Sequence, residues 1–294
     1  MYGPDGRYDF VHNIIITPII LDLYQSKESV YSMKTIYYSD ELNDDFASTQ
    51  NIKTQPLPPN YKWVHKGILW KFFSGVLYYL IVYPLVVITN HIYFGLKIKN
   101  KGVIRKLHSG CFLYSNHTQH LDPFISAQVS GWGHRTYFLA GPDAFSITGL
   151  RHLIAMLGAM PVGYDLDSMK KMAYAVHDRY KQKACITIYP EAHIWPYYND
   201  IRNFKNASFA YPVGLDAPVV AMVATYRKRR GITRLFFRHP CITVYCSNPM
   251  YSDPTLSRKA AKKELRDRVY QWMKKTAEEH NHYEFIHYEK KMPD

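Results

Sequence analysis

The sequence predicts an α/β domain with a mixed central sheet flanked by helices, preceded by an N-terminal membrane-associated helical segment. Three observations predict it. From about residue 97 onward, short apolar runs alternate with stretches of helical period. Ahead of them lies a long run free of charged residues. The composition, 47% hydrophobic and 15% aromatic over 294 residues, supplies a large core and argues against disorder.

Residues 1–60 read as an N-terminal extension. It mixes a β-branched run (Ile14, Ile15, Ile16) with an acidic stretch from Asp40 to Asp45, and ends at Pro56-Leu57-Pro58-Pro59, a boundary signal. No chemistry is assigned to it. Residues 61–96 form the apolar segment, with no Asp, Glu, Lys or Arg from 72 to 96. About 20 helical residues cross a bilayer core, so the length suffices, although a buried core helix passes the same test. Gly75 and Pro84 inside the run suit a bilayer helix, as do the tyrosines and phenylalanines at several depths. Lys62, Lys66 and Lys71 precede it and Lys97, Lys99 and Lys101 follow. Basic flanks on both sides fit a segment that enters one leaflet and returns, kinked near Pro84, or lies along the interface.

Residues 97–294 make the main domain. Strands are expected at 111–115, 136–140, 185–189, 219–225, 234–237 and 241–246. Met169, Met172, Ala173 and Val176 mark one helix. From Leu256 a second, amphipathic helix carries Ala260, Ala261, Leu265, Val269, Trp272 and Met273 with basic residues between them, and docks on the domain, membrane contact being the alternative. The run Arg227-Lys228-Arg229-Arg230-Gly231 reads as a solvated turn, with lipid headgroups or donor phosphates as its alternative contacts.

The formal charge of +13 favours an acidic partner, and anionic headgroups or a phosphorylated substrate fit better than nucleic acid. The basic residues are spread rather than striped, and no nucleic-acid module is present. Cys111, Cys185, Cys241 and Cys246 form no C-x-x-C pair, and the N-terminus lacks the layout of a secretory signal. The expectation is a reduced protein at the cytoplasmic face of a membrane.

The segment Asn116-His117-Thr118-Gln119-His120-Leu121-Asp122-Pro123 follows an expected strand directly. Asp122 before Pro123 reads as a helix start, with Asp at the N-cap and Pro at N1. His117 and Asp122 then sit at the end of the sheet, where open α/β folds place ligands. An alcohol is almost un-ionised at neutral pH, and a neutral imidazole can remove its proton during attack. A carboxylate on the other ring nitrogen fixes the tautomer and stabilises the imidazolium. By spacing alone, a capping Asp122 and a plain turn His117 fit more readily than a site. His120 is the rival base.

Asn116-His117 with Asp122-Pro123 resembles the first motif of the glycerolipid acyltransferase family, which includes the lysophosphatidic acid acyltransferases. Gly158-Ala159-Met160-Pro161-Val162 stands where the second motif falls. Tyr189-Pro190-Glu191-Ala192 resembles the family's Phe-Pro-Glu-Gly block, Phe204-Lys205-Asn206-Ala207 its Phe-Lys-x-Gly segment, and Ala217-Pro218-Val219-Val220 its closing strand. The resemblance covers roughly residues 65–250. It implies a glycerol-3-phosphate acyltransferase-like fold, His117 as general base, Asp122 as its orienting partner and Glu191 in the acceptor pocket. The implied donor is acyl-CoA or acyl-carrier protein and the usual acceptor lysophosphatidic acid, a lysophospholipid. No cofactor or metal is implied.

Two family arginines are missing: Glu191 is followed by Ala192-His193-Ile194, and Val162 by Gly163-Tyr164-Asp165. Arg202, then Lys205, then His193 are the candidates to hold an acceptor phosphate, because a guanidinium binds phosphate with two donors. Backbone N–H groups near the helix start at Asp122 are the candidates for an oxyanion. The alternatives are a different lysolipid acceptor, a non-catalytic membrane-binding relative, and a metal-dependent hydrolase using His117, His120, Asp122, Glu191 and His193.

Overall fold

The computed structural model describes residues 34–46, 54, 56–58, 60–146 and 151–291. The Ile14–Ile16 run and Pro59 lie outside them. In chain order the described elements begin with β1 (Lys34–Tyr38), α1 (Ile68–Ile92), β2 (Lys97–Lys99), β3 (Cys111–Ser115), α2 (Asp122–Ser130), β4 (Thr136–Ala140), α3 (Pro142–Ser146) and α4 (Arg151–Met156). There follow β5 (Ala159–Pro161), α5 (Leu166–Lys181), β6 (Cys185–Ile188), α6 (Ala210–Gly214), β7 (Val219–Arg227), β8 (Cys241–Cys246), α7 (Arg258–His280) and β9 (Ile286–Lys290).

The main sheet has the order β2-β8-β7-β3-β6-β4-β5. All its pairs are parallel except β7–β8, so the sheet is mixed. Its central strands are apolar without alternation, as strands covered on both faces must be. Phe112 and Tyr114 point to one face, where they join Met172 and Val176 of α5 and Leu265 and Val269 of α7. Cys111 and Leu113 point to the other, with Ile125 and Val129 of α2 and Tyr93 and Phe94 beyond α1. This period-two division of one buried strand makes the molecule three-layered. The connections leaving β3 and β6 go to opposite faces, which opens a crevice at their carboxyl ends.

Local chemistry accounts for the helix starts. Asp165 caps α5 by accepting from the Ser168 N–H at 2.7 Å, while the Ser168 hydroxyl accepts from the Asp165 N–H at 3.0 Å. Ser257 caps α7 through the Ala260 N–H. Gly158 admits the close approach of β5 to β4: its φ is +108°, and a Cβ there would lie 2.4 Å from the Thr136 carbonyl oxygen.

α1 is one continuous 25-residue helix that does not reverse at Pro84. Instead residues 76–82 widen into π-helical turns immediately before the proline, which relieves the clash and the missing donor that Pro84 brings to a helix. Ser74, Tyr78, Val86 and Asn90 repeat on a spacing of four or eight and face the domain. Asn90 donates to the Phe124 carbonyl and to Gln128, so α1 lies against α2. Its other side leaves Ile68, Phe72, Leu80, Ile81 and Ile88 exposed.

Two readings of the sequence change. Residues 234–237 are not a strand: Ile232–Leu235 form a 3-10 turn that leaves Ile232, Leu235 and Phe236 exposed. Periodicity registered the apolar residues, but among the described residues no strand pairs with them. Short β2, β5 and β9 were not anticipated, since three to five residues give too little pattern. Part of the N-terminal extension is also built into the domain. β1 pairs in parallel with β9, and Phe46 packs edge-on against Trp195.

Candidate active site

The site grows from the adjacent carboxyl ends of β3 and β6, which pair in register from Cys111–Cys185 to Tyr114–Ile188. That register brings His117 beside Tyr189 and Glu191, more than seventy residues away in sequence. Asn116 fixes the turn: its amide donates to the Ala224 carbonyl at 3.0 Å and accepts from the Ala224 N–H at 2.9 Å, mimicking one more strand pair with β7.

His117 Nδ1 lies 3.0 Å from Asp122 Oδ2. The same oxygen accepts the backbone N–H groups of Thr118 at 2.8 Å and Gln119 at 2.9 Å. Three donors therefore converge on one carboxylate oxygen, in a site where the Asp122 side chain is 3% exposed and that of His117 is 15% exposed. With its Nδ1 proton donated to Asp122, the neutral ring presents the lone pair of Nε2. The ring stacks on Tyr189 with centroids 4.2 Å apart and planes 19° apart. Tyr189 is in turn held by Ser126 at 3.0 Å, and burial together with the Asp122 charge pushes its phenol well above the usual range, so it stays neutral.

Asp122 does not cap its helix as expected. It is the first residue of α2, Leu121 is the N-cap, and its carboxylate turns back over residues 117–119. Five of the N–H groups around this helix start are also spent. Those of Thr118 and Gln119 go to Asp122, that of Asp122 to the Gln119 carbonyl, and those of Phe124 and Ile125 to the Leu121 carbonyl. They do not form the oxyanion site expected there.

Glu191 lies beneath His117 and is almost fully buried. It accepts the His117 N–H at 3.3 Å and the Arg202 N–H at 3.1 Å, and pairs with the Arg202 guanidinium at 3.3 Å. Burial raises its pKa, against the opposing pull of Arg202. Arg202 is 1% exposed. Its guanidinium donates to Glu191, to the His193 carbonyl and to the Glu41 carbonyl, and stacks on Trp195 at 4.8 Å. This placement sets Arg202 apart from a solvent-facing phosphate ligand: the cation is enclosed, its terminal nitrogens go to neighbouring oxygens, and its Nε–H is buried without a partner. His193 sits at the rim, its Nδ1 3.5 Å from Asp45, and Lys205 is exposed.

Sequence reasoning missed the cover over this floor. Asp45 accepts the Ile194 N–H, the Asp44 carbonyl accepts the Trp195 indole N–H at 2.7 Å, and Phe46 donates its N–H to the Ile194 carbonyl. The acidic stretch was visible, but nothing local said what it met. Ala192 was also missed. It stands in the left-handed region at φ 67°, closing a turn onto the Tyr189 carbonyl, which explains why the resembled block carries glycine at this point. Among the described residues, no group of three or more His, Cys, Asp or Glu side chains is placed to hold a metal, so the hydrolase ligand set is not assembled.

The family model Acyltransferase matches residues 95–225. No curated protein sequence matches. The crystal structure of the 1-acyl-sn-glycerophosphate (LPA) acyltransferase PlsC from Thermotoga maritima is similar over 72% of this chain and 93% of that one, with a TM-score of 0.46 and 16% identity. The stretch matched by the Acyltransferase model begins just after α1, runs into β7 and contains His117, Asp122, Glu191 and Arg202 together.

Proposed function

We propose that this protein transfers a fatty acyl group from a thioester donor, acyl-CoA or acyl-carrier protein, to the free hydroxyl of a lysophospholipid, with lysophosphatidic acid as the first acceptor to test. The observation that carries this reading is the 3.0 Å contact of His117 Nδ1 with a buried, triply bonded Asp122 oxygen at the carboxyl edge of the sheet.

His117 Nε2 takes the acceptor's hydroxyl proton as the oxygen attacks the thioester carbonyl. The imidazolium so formed faces the Asp122 carboxylate. Collapse of the tetrahedral adduct breaks the C–S bond, and the departing thiolate takes the proton back, leaving ester, free thiol and neutral histidine. Glu191 and Arg202 position the base: their pair holds the His117 N–H from below. The acceptor phosphate then falls to side chains that solvent reaches, Lys205 and His193.

The reading places the enzyme on the cytoplasmic face of a bilayer. The exposed apolar side of α1 supports contact with a bilayer, and so does the turn beyond β7. Ile232, Leu235 and Phe236 are 74%, 81% and 69% exposed, flanked by Lys228, Arg230 and Arg234, with no acidic residue between Asp216 and Asp253. Basic and apolar side chains so mixed suit anionic headgroups over acyl chains. Arg229 does not share this role; it is buried and donates to the His239 and Tyr93 carbonyls, tying the turn to the end of α1.

Purified protein incubated with labelled acyl-CoA or acyl-carrier protein and a panel of lysolipids, with products identified by mass, tests the proposal. An acylated lysolipid that disappears with His117→Ala and persists with His120→Ala supports it. Absence of product from every donor and acceptor rejects it.

A further inference from the structure

A cavity lies at the opposite edge of the sheet from His117. Its volume is about 320 Å³, and its walls include Trp63, His65, Trp70, Arg135, Tyr137 and Arg179, with Lys71 exposed at its border. Arg135 immediately precedes β4, Ala159 opens β5, and Arg179 lies in the last turn of α5. The cavity is therefore at the amino edge of the parallel strands, roughly 16 Å of strand length from the carboxyl edge that carries His117.

Its chemistry is one-sided. Three cationic side chains and a histidine line it, and no carboxylate does. Both guanidinium groups lie against the Tyr137 ring, at 5.2 Å for Arg135 and 4.7 Å for Arg179. Arg135 donates from one terminal nitrogen to Ser74 and the Met156 carbonyl. Arg179 reaches Asp178 and Gln182, each at 3.3 Å. The Nε–H donors of both arginines are buried without a partner, although Arg179 is only 8% exposed. Orphaned charged donors are costly, and two around one cavity point to a missing acceptor. Burial and the charges of Arg179, His152 and Lys62 together hold the His65 pKa down, so the local field is positive.

We propose that this cavity binds a phosphoryl group, at a site separate from the one built on His117. Trp70, Lys71 and Ser74 belong to the first turns of α1, the same turns that carry the exposed Ile68, Leu69, Phe72 and Phe73. A phospholipid can thus seat its headgroup phosphate between the arginines and lay its chains along α1. A soluble phosphate ester, such as the nucleotide part of CoA, offers the same group without the chains.

The test uses the full chain in neutral detergent, titrated separately with dihexanoyl phosphatidic acid, CoA and inorganic phosphate, with binding read by calorimetry and His65 ring titration by NMR. Saturable binding that raises the His65 pKa is expected. Arg179→Gln should weaken it roughly tenfold or more, the worth of a charge-assisted hydrogen bond. Lys71→Gln, at an exposed position that leaves the fold untouched, should weaken it in the same direction, and His117→Gln should not. Tightest binding of phosphatidic acid identifies a lipid headgroup as the occupant, tightest binding of CoA a soluble ester, and both support the site. No response of His65 to any probe, affinity unchanged by Lys71→Gln, or equal losses in His117→Gln and Lys71→Gln would overturn it.

Discussion

Asp122→Asn separates charge from geometry at the proposed base. In the native site one oxygen receives His117 Nδ1 at 3.0 Å and the N–H groups of Thr118 and Gln119 at 2.8 and 2.9 Å. An asparagine that turned its NH2 toward these donors would face two backbone N–H groups, so its carbonyl oxygen should take the Oδ2 position. The Nδ1–H tautomer and the ring orientation are then kept, and only the negative charge is lost. A unit charge at roughly 4 Å from the imidazolium is worth about 4 kcal/mol at an effective dielectric constant near 20, and half that at twice the screening. At about 1.4 kcal/mol per decade, kcat should fall by two to three orders of magnitude. Acyl-transfer rates at saturating donor and acceptor measure this, and 15N spectra of the histidine rings report the tautomer. Asp122→Ala should lose more, because two backbone N–H groups are left without an acceptor and the ring is freed. A folded Asp122→Asn protein within threefold of the native rate would refute the charge argument. Equal losses in the Asn and Ala variants would show that orientation alone matters.

Arg202→Met removes the cation from a buried pair and leaves Glu191 enclosed, so unfolding free energy should drop by about 3–5 kcal/mol in denaturant melts. If the KM for acceptor rises while stability is unchanged, the enclosed placement of Arg202 is wrong. Ala192→Gly relieves a left-handed alanine and should stabilise by about 0.5–1 kcal/mol after the entropy of glycine is counted, read as a higher denaturation midpoint. The double variant Leu235→Ala, Phe236→Ala should weaken sedimentation with phosphatidylserine vesicles about tenfold or more, from the apolar surface removed, with activity on detergent-dispersed substrate retained. Asp165 is held below its ordinary value of 3.8, chiefly by the Ser168 N–H. Its capping contribution is therefore complete above pH 3.8 and lost as pH falls through the lower folded value. Asp165→Asn should flatten that part of the acid unfolding curve, and an unaltered curve would reject the cap as its source.

The sequence by itself determined the elements with strong local pattern and the contact between His117 and Asp122. The central strands at 111–115 and 185–188 are buried throughout and pair in parallel, and strands covered on both faces need no subtler signal than an apolar run. His117 and Asp122 are five residues apart across one tight turn, so their meeting is a local event. Tertiary structure decided whatever depends on distant neighbours. Arg202 reads as a free cation in sequence, and only the pairing of β3 with β6 brings Glu191 under His117, where it claims that guanidinium. The apolar residues at 232–237 look like a strand, yet among the described residues none arrives to pair with them. Residues 34–46 carry no sign of their destination, because a strap is defined by the surface it covers. The cavity between Arg135 and Arg179 likewise exists only because α1, β4 and α5 converge from separate parts of the chain: periodicity records which residues are buried, and burial alone does not say beside what.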